Sequence, residues 1–131
     1  MKKGRPPLLT LREAKEIALV RGAVIVIPGK RSDAFDLIIC EEHRVIFVRV
    51  RRTLTQFTWP VEVLHQYRYD IARCQRLPVT NITASEFWLR LPDGNWQFFR
   101  IRHTGITEIE ADGRDIHRGE PPGESTALSQ G

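Results

Sequence analysis

Short apolar runs rich in β-branched residues recur along this sequence on either side of two stretches of helical periodicity, and a mixed α/β fold is what buries both patterns. Residues 24–27, 35–40 and 45–51 form the first group of candidate strands. Between the last two, Glu41-Glu42-His43-Arg44 is short and polar, which predicts a hairpin turn joining antiparallel neighbours. Ahead of this group, Thr10-Leu11-Arg12-Glu13 has the capping-box spacing, in which Thr10 and Glu13 satisfy the orphan amides of a helix start. Leu11, Ala14, Ile17 and Ala18 then keep helical spacing, and Gly22 supplies a stop. After the group, Pro60 and Glu62 mark the first turn of a second helix whose face is Leu64, Tyr67, Ile71 and Cys74, ending near Leu77-Pro78. Residues 86–91 and 96–101 flank Pro92-Asp93-Gly94-Asn95, so a second hairpin is expected, with residues 106–109 adding a short edge strand.

A chain of 131 residues holds one hydrophobic core, so a single fold must account for all of these elements. The expected division is a basic N-terminal extension over residues 1–9, the domain over 10–110, and an acidic tail over 111–131. In that tail Gly, Pro, Ser and acidic residues replace apolar periodicity and predict disorder. No apolar run is long enough to cross a bilayer, and the opening MKKGRPP leads into a charged helix instead of a signal peptide, which points to the cytoplasm. Cys40 and Cys74 lie in apolar patterns without the paired spacing of a zinc or redox motif, as buried free thiols would. Charge is uneven: 18 Lys and Arg face 10 Asp and Glu up to Gly105, against 2 and 6 after it. A basic body suits a phosphate-binding protein, because neutralising phosphates releases condensed counterions.

The segment Gly29-Lys30-Arg31-Ser32-Asp33-Ala34-Phe35-Asp36-Leu37-Ile38 places a small, polar loop before an aspartate and apolar strand residues. Further on, Phe47-Val48-Arg49-Val50-Arg51 alternates apolar and charged residues. Together with the element order, these segments resemble the PD-(D/E)XK nuclease superfamily, which includes restriction enzymes and archaeal Holliday junction resolvases, over roughly residues 10–102. The resemblance implies a restriction-endonuclease-like α/β core: a helix, a mixed three-stranded sheet that starts antiparallel, a helix, and C-terminal strands forming a hairpin. It makes Asp36 the motif aspartate, with Arg49 standing where the family has its acid and Arg51 where it has its lysine. In the family, the two carboxylates hold a hard divalent cation that activates water and stabilises charge on the scissile phosphate. Arginine offers only donors and stays protonated, so it does not ligate Mg²⁺, and its charge repels the ion. Positions 49 and 51 share one face of a strand, so Asp36 is expected to pair with Arg49 while Arg51 remains available for a phosphate.

The resemblance thus implies no metal and no cofactor; if activity survives, Mg²⁺ would sit on Asp36 with Asp33 or with Glu13 or Glu16 of the first helix. Glu13 has a capping role, Glu16 a solvent-facing position and Asp33 a turn-forming one. Gln66 and Tyr69 are similar to the Gln and Tyr of RecB-like nucleases but are spaced one residue too closely, and helix amphipathicity accounts for them. His43, His65, His103 and His117 show no two-histidine ligand spacing, Ser32 lies in no nucleophile elbow, and Pro28-Gly29-Lys30 lacks the remaining residues of a P-loop. Phe87, Trp88, Trp96, Phe98 and Phe99 alternate with Arg90, Arg100 and Arg102; core packing is the expected role, base stacking the alternative.

These residues lead to a catalytically degenerate nuclease-like domain that binds nucleic acid, DNA foremost, through Lys30, Arg31, Arg49, Arg51 and Arg52. Arg68, Arg73 and Arg76 extend the basic surface onto the second helix, whose ordinary role is a solvated face. Two other functions remain open: a structural or protein-interaction module, and a metal-dependent endonuclease with a relocated carboxylate. A homodimer is compatible with a two-fold nucleic-acid target.

Overall fold

A computed structural model describes residues 8–27 and 34–116 and, within them, three helices and six strands. Helix α1 (Leu8–Leu19) precedes β1 (Ala23–Val26), β2 (Leu37–Cys40) and β3 (Val45–Arg52). Helices α2 (Pro60–Gln66) and α3 (Arg68–Cys74) follow, then β4 (Thr83–Arg90), β5 (Trp96–Arg102) and β6 (Gly105–Ile109). The strands lie in chain order in one mixed sheet, antiparallel at every step except between β3 and β4. Parallel neighbours need a long crossover, and α2 with α3 supplies it. The α/β class, the mixed sheet with its antiparallel start, and the C-terminal hairpin are as expected from the sequence.

Both faces of the sheet are covered, because alternation along the central strands puts apolar side chains on each. Leu11, Ala14 and Ala18 of α1 pack with Leu37, Ile39, Ile46, Val48, Val50 and Trp88 on one face. On the other, Val63 of α2 and Ile71 and Cys74 of α3 pack with Phe87, Leu89, Phe99 and Ile101. The aromatic hairpin belongs to these two cores. Phe87, Trp88, Phe98 and Phe99 are buried, and Trp88 meets Trp96 and Phe98 edge-on with ring centroids 6.3 and 5.0 Å apart. Core packing, not base stacking, is what these rings do. The β4–β5 turn closes through Gly94, whose φ of 91° is a conformation a side chain resists.

Four details depart from the expectations. Helix α1 begins at Leu8, two residues before Thr10, which is buried inside the helix; Glu13 does not cap but binds Arg90 at 2.7 and 3.2 Å. The second helix is two helices, broken at Tyr67 (φ −114°, ψ 32°). The Tyr67 ring lies 6.3 Å from Phe57 and 5.2 Å from Phe87, and its hydroxyl reaches the Arg52 carbonyl at 3.5 Å, so tertiary contacts hold the residue that interrupts the helix. Residues 111–116, expected to open a disordered tail, are tied back. Asp115 bridges Ile109, Arg102 pairs with Asp115 at 3.3 Å, and Arg100 donates to the Gly113 carbonyl at 3.1 Å. Residues 1–7, 28–33 and 117–131, with Lys30, Arg31, Ser32, Asp33 and His117, lie outside the described residues. No described helix is long and apolar enough to cross a membrane.

Candidate functional site

Asp36 stands immediately before β2, where that strand has run out of partners for β3. Leu37 pairs with Val48, the Asp36 backbone amide donates to the Val48 carbonyl at 2.8 Å, and the next inward amide of β3, on Val50, would be left unpaired. The Asp36 carboxylate takes over from the missing strand: its Oδ2 accepts the Val50 N–H at 2.8 Å. Its other oxygen, Oδ1, lies 3.7 Å from Arg49 Nη1. The expected meeting of Asp36 and Arg49 occurs, though as a charge contact longer than a hydrogen bond.

Arg49 is only 2% exposed and projects toward α3. Its Nη2 lies 3.5 Å from Oδ1 of Asp70, so the guanidinium has one carboxylate near each terminal nitrogen. Burial pulls the Arg49 pKa down and the like charge of Arg51 adds to that, while Asp36 and Asp70 work the other way. Arg51, two residues on and on the same face, does not stay free as expected. It grips Asp70 with two bonds, Nη2 to Oδ1 at 2.9 Å and Nε to Oδ2 at 3.2 Å. Arg52 alternates to the opposite side, is exposed, and with Thr53, Arg90 and Leu91 lines a cleft of about 420 Å³ at the carboxyl ends of β3 and β4. Cys74 completes the buried cluster; desolvation drives its thiol pKa up to about 12, so it stays protonated and unreactive at neutral pH.

A nuclease of the resembled family would hold Mg²⁺ here, between acidic oxygens. Among the described residues, the side chains around Asp36 do not fit that ion. One Asp36 oxygen is used by the β3 backbone, and the position facing the other is filled by a buried guanidinium that supplies donors and positive charge. Glu13 cannot complete a site with Asp36, because it serves Arg90 on the α1 side of the sheet. Glu16 is exposed on α1. Among the described residues, no three His, Cys, Asp or Glu side chains gather as metal ligands.

Asp70 was not picked out from the sequence, although a signal exists: it lies three residues after Tyr67 and four before Cys74, on the flank of the buried helical face. A second polar centre, on the α1 side, was also missed. Glu86 is fully buried and accepts from Arg21 Nη1 and Nη2 at 2.8 and 2.9 Å, from Arg100 Nη2 at 2.8 Å and from Trp88 Nε1 at 2.9 Å. Arg21 also holds Glu41 at 2.8 Å, and Glu41 holds Arg44 at 2.9 Å. Burial disfavours the Glu86 carboxylate, but Arg21, Arg100 and Trp88 outweigh it and leave the pKa below the usual carboxylate range. Its trace in the sequence is the one acid of β4, set directly before the apolar run Phe87-Trp88-Leu89.

No protein-family model matches this chain, and no curated protein matches it in sequence. Among solved structures it is similar to Hjc of Archaeoglobus fulgidus, a Holliday junction resolvase from an archaeal hyperthermophile. The identity is 16% and the TM-score 0.46, over 79% of this chain and 88% of that one.

Proposed function

We propose that this chain is a nuclease-like domain that binds nucleic acid, DNA foremost, without cutting it. The observation that carries the reading is the Arg49 guanidinium, buried between Asp36 and Asp70 where a metal-dependent nuclease needs acidic oxygens to converge. The basic body of the chain supports the binding half, since 18 Lys and Arg stand against 10 Asp and Glu up to Gly105. Arg49 and Arg51 keep their motif positions but serve the interior, so the phosphate contacts come from other cations.

The test is binding of dye-labelled duplex, branched and single-stranded DNA across a salt series, with and without Mg²⁺ or Mn²⁺. The affinity should fall steeply and log-linearly with salt, by about 0.7 to 0.9 in slope for each phosphate neutralised, and the DNA should stay intact in either metal. Absence of binding at low salt removes the reading. Metal-dependent cleavage that vanishes in Asp36→Asn restores the active endonuclease in its place.

A further inference from the structure

The arginines of the sheet are largely engaged by carboxylates: Arg49 and Arg51 by Asp70, Arg90 by Glu13, Arg100 by Glu86. A cation already paired in this way has little left to offer a phosphate. Helix α3 is arranged differently. Its one acid, Asp70, turns inward to Arg49 and Arg51, and Ile71 and Cys74 are buried beneath it. What remains outward is Arg68, Tyr69, Ala72 and, in the turn that follows, Arg76, all exposed. Tyr69, Ala72 and Arg76 are three and four residues apart, so they form one stripe with Arg68 alongside, and no acid interrupts it. Among the described residues neither Arg68 nor Arg76 has a carboxylate partner. The outer face of α1 differs in composition, mixing Arg12 and Lys15 with Glu16.

Tyr69 adds a second observation. A ring of this size is left 76% exposed, and the Arg68 guanidinium lies over it at 5.0 Å from the centroid. The guanidinium occupies one side of the ring, leaving the other for a flat partner. Ala72 has a short side chain between the cations, so an incoming backbone can approach the helix. Cations flanking an open aromatic ring complement a polyanion that carries π-faces, whereas an acidic peptide complements only the charge.

We infer that the outer face of α3 is the surface on which nucleic acid lies, with Arg68 and Arg76 on backbone phosphates and the Tyr69 ring against an unpaired base. This rests on the nucleic-acid reading above and gives it a surface. The experiment is fluorescence anisotropy of the full chain with a labelled single strand and a duplex of equal length, across a salt series. Arg68→Ala with Arg76→Ala should weaken binding to both about tenfold or more and make the single-strand salt slope shallower by about 1.4. Tyr69→Leu should weaken single-strand binding about tenfold and duplex binding far less, while Tyr69→Phe keeps the wild-type affinity. All three positions are exposed, so the variants should keep the parent melting temperature. If the unaltered chain binds and these variants bind as tightly with the same slope, the surface is wrong and the nucleic-acid reading survives. If the unaltered chain binds neither oligonucleotide, both fall together.

Discussion

At the scale of single residues, Arg49 shows how a charge can be held inside a small domain. It is nearly inaccessible, and burial and the like charge of Arg51 pull its pKa down while the flanking Asp36 and Asp70 work the other way. Removing one member of a buried ionic cluster leaves its partners desolvated and uncompensated, which costs more than the intact cluster contributes. Arg49→Met should therefore lower the unfolding free energy by about 3 kcal/mol, measured by urea denaturation. Adding Asp36→Asn should recover part of it, because the amide oxygen still accepts the Val50 N–H without a stranded charge. Equal midpoints for Arg49→Met and the parent would show that the cluster does not hold the site. The pairing of Asp36 with Arg49 was legible in the sequence, from strand spacing and the motif segments. The capture of Arg51 was not, because Asp70 reaches it from 19 residues away in another element.

At the scale of elements, the periodicities read from the sequence correspond to real helices and strands, and the misplacements fall where tertiary contacts override local signals. Thr10 and Glu13 spell a cap, yet Thr10 lies buried inside the helix, which already includes Leu8 and Leu9, and Glu13 is taken by Arg90 from β4. One amphipathic pattern became α2 and α3 because the Tyr67 ring is held between Phe57 and Phe87. The corner between α1 and β1 depends on Gly22 as more than a helix stop. A Cβ there would run into the Cys40 carbonyl oxygen across the β1–β2 pair. Gly22→Ala should accordingly destabilise by about 1 to 3 kcal/mol, the range for forcing atoms into packed space, seen as a lower melting temperature. An unchanged melting temperature would mean that the corner relaxes freely.

At the scale of the whole molecule, the Glu86 cluster joins parts of the chain that no local pattern connects: the end of α1 through Arg21, the β2–β3 turn through Glu41 and Arg44, β5 through Arg100, and the segment after β6 through Gly113. The folded-state pKa values of Glu86 and Glu41 lie below the usual carboxylate range, for both because burial is outweighed by arginine partners. Their contribution is complete above the unfolded carboxylate value of about 4.3 and is lost as pH falls through the lower folded value. Denaturant midpoints measured from neutral pH downward should thus decline below about pH 4.5, and Glu86→Gln should be less stable at neutral pH with a flatter acid decline. An identical acid profile in the variant would contradict this account. The sequence by itself determined the α/β class, the two hairpins and the shared face of Arg49 and Arg51, because hydrophobic periodicity and strand alternation are local properties of the chain. Only the tertiary structure decided which carboxylate each arginine meets, since those partners come from separate elements and are selected by the sheet order and the helical crossover. For the same reason, only the fold decided that Asp70 turns inward and leaves the outer face of α3 to its cations.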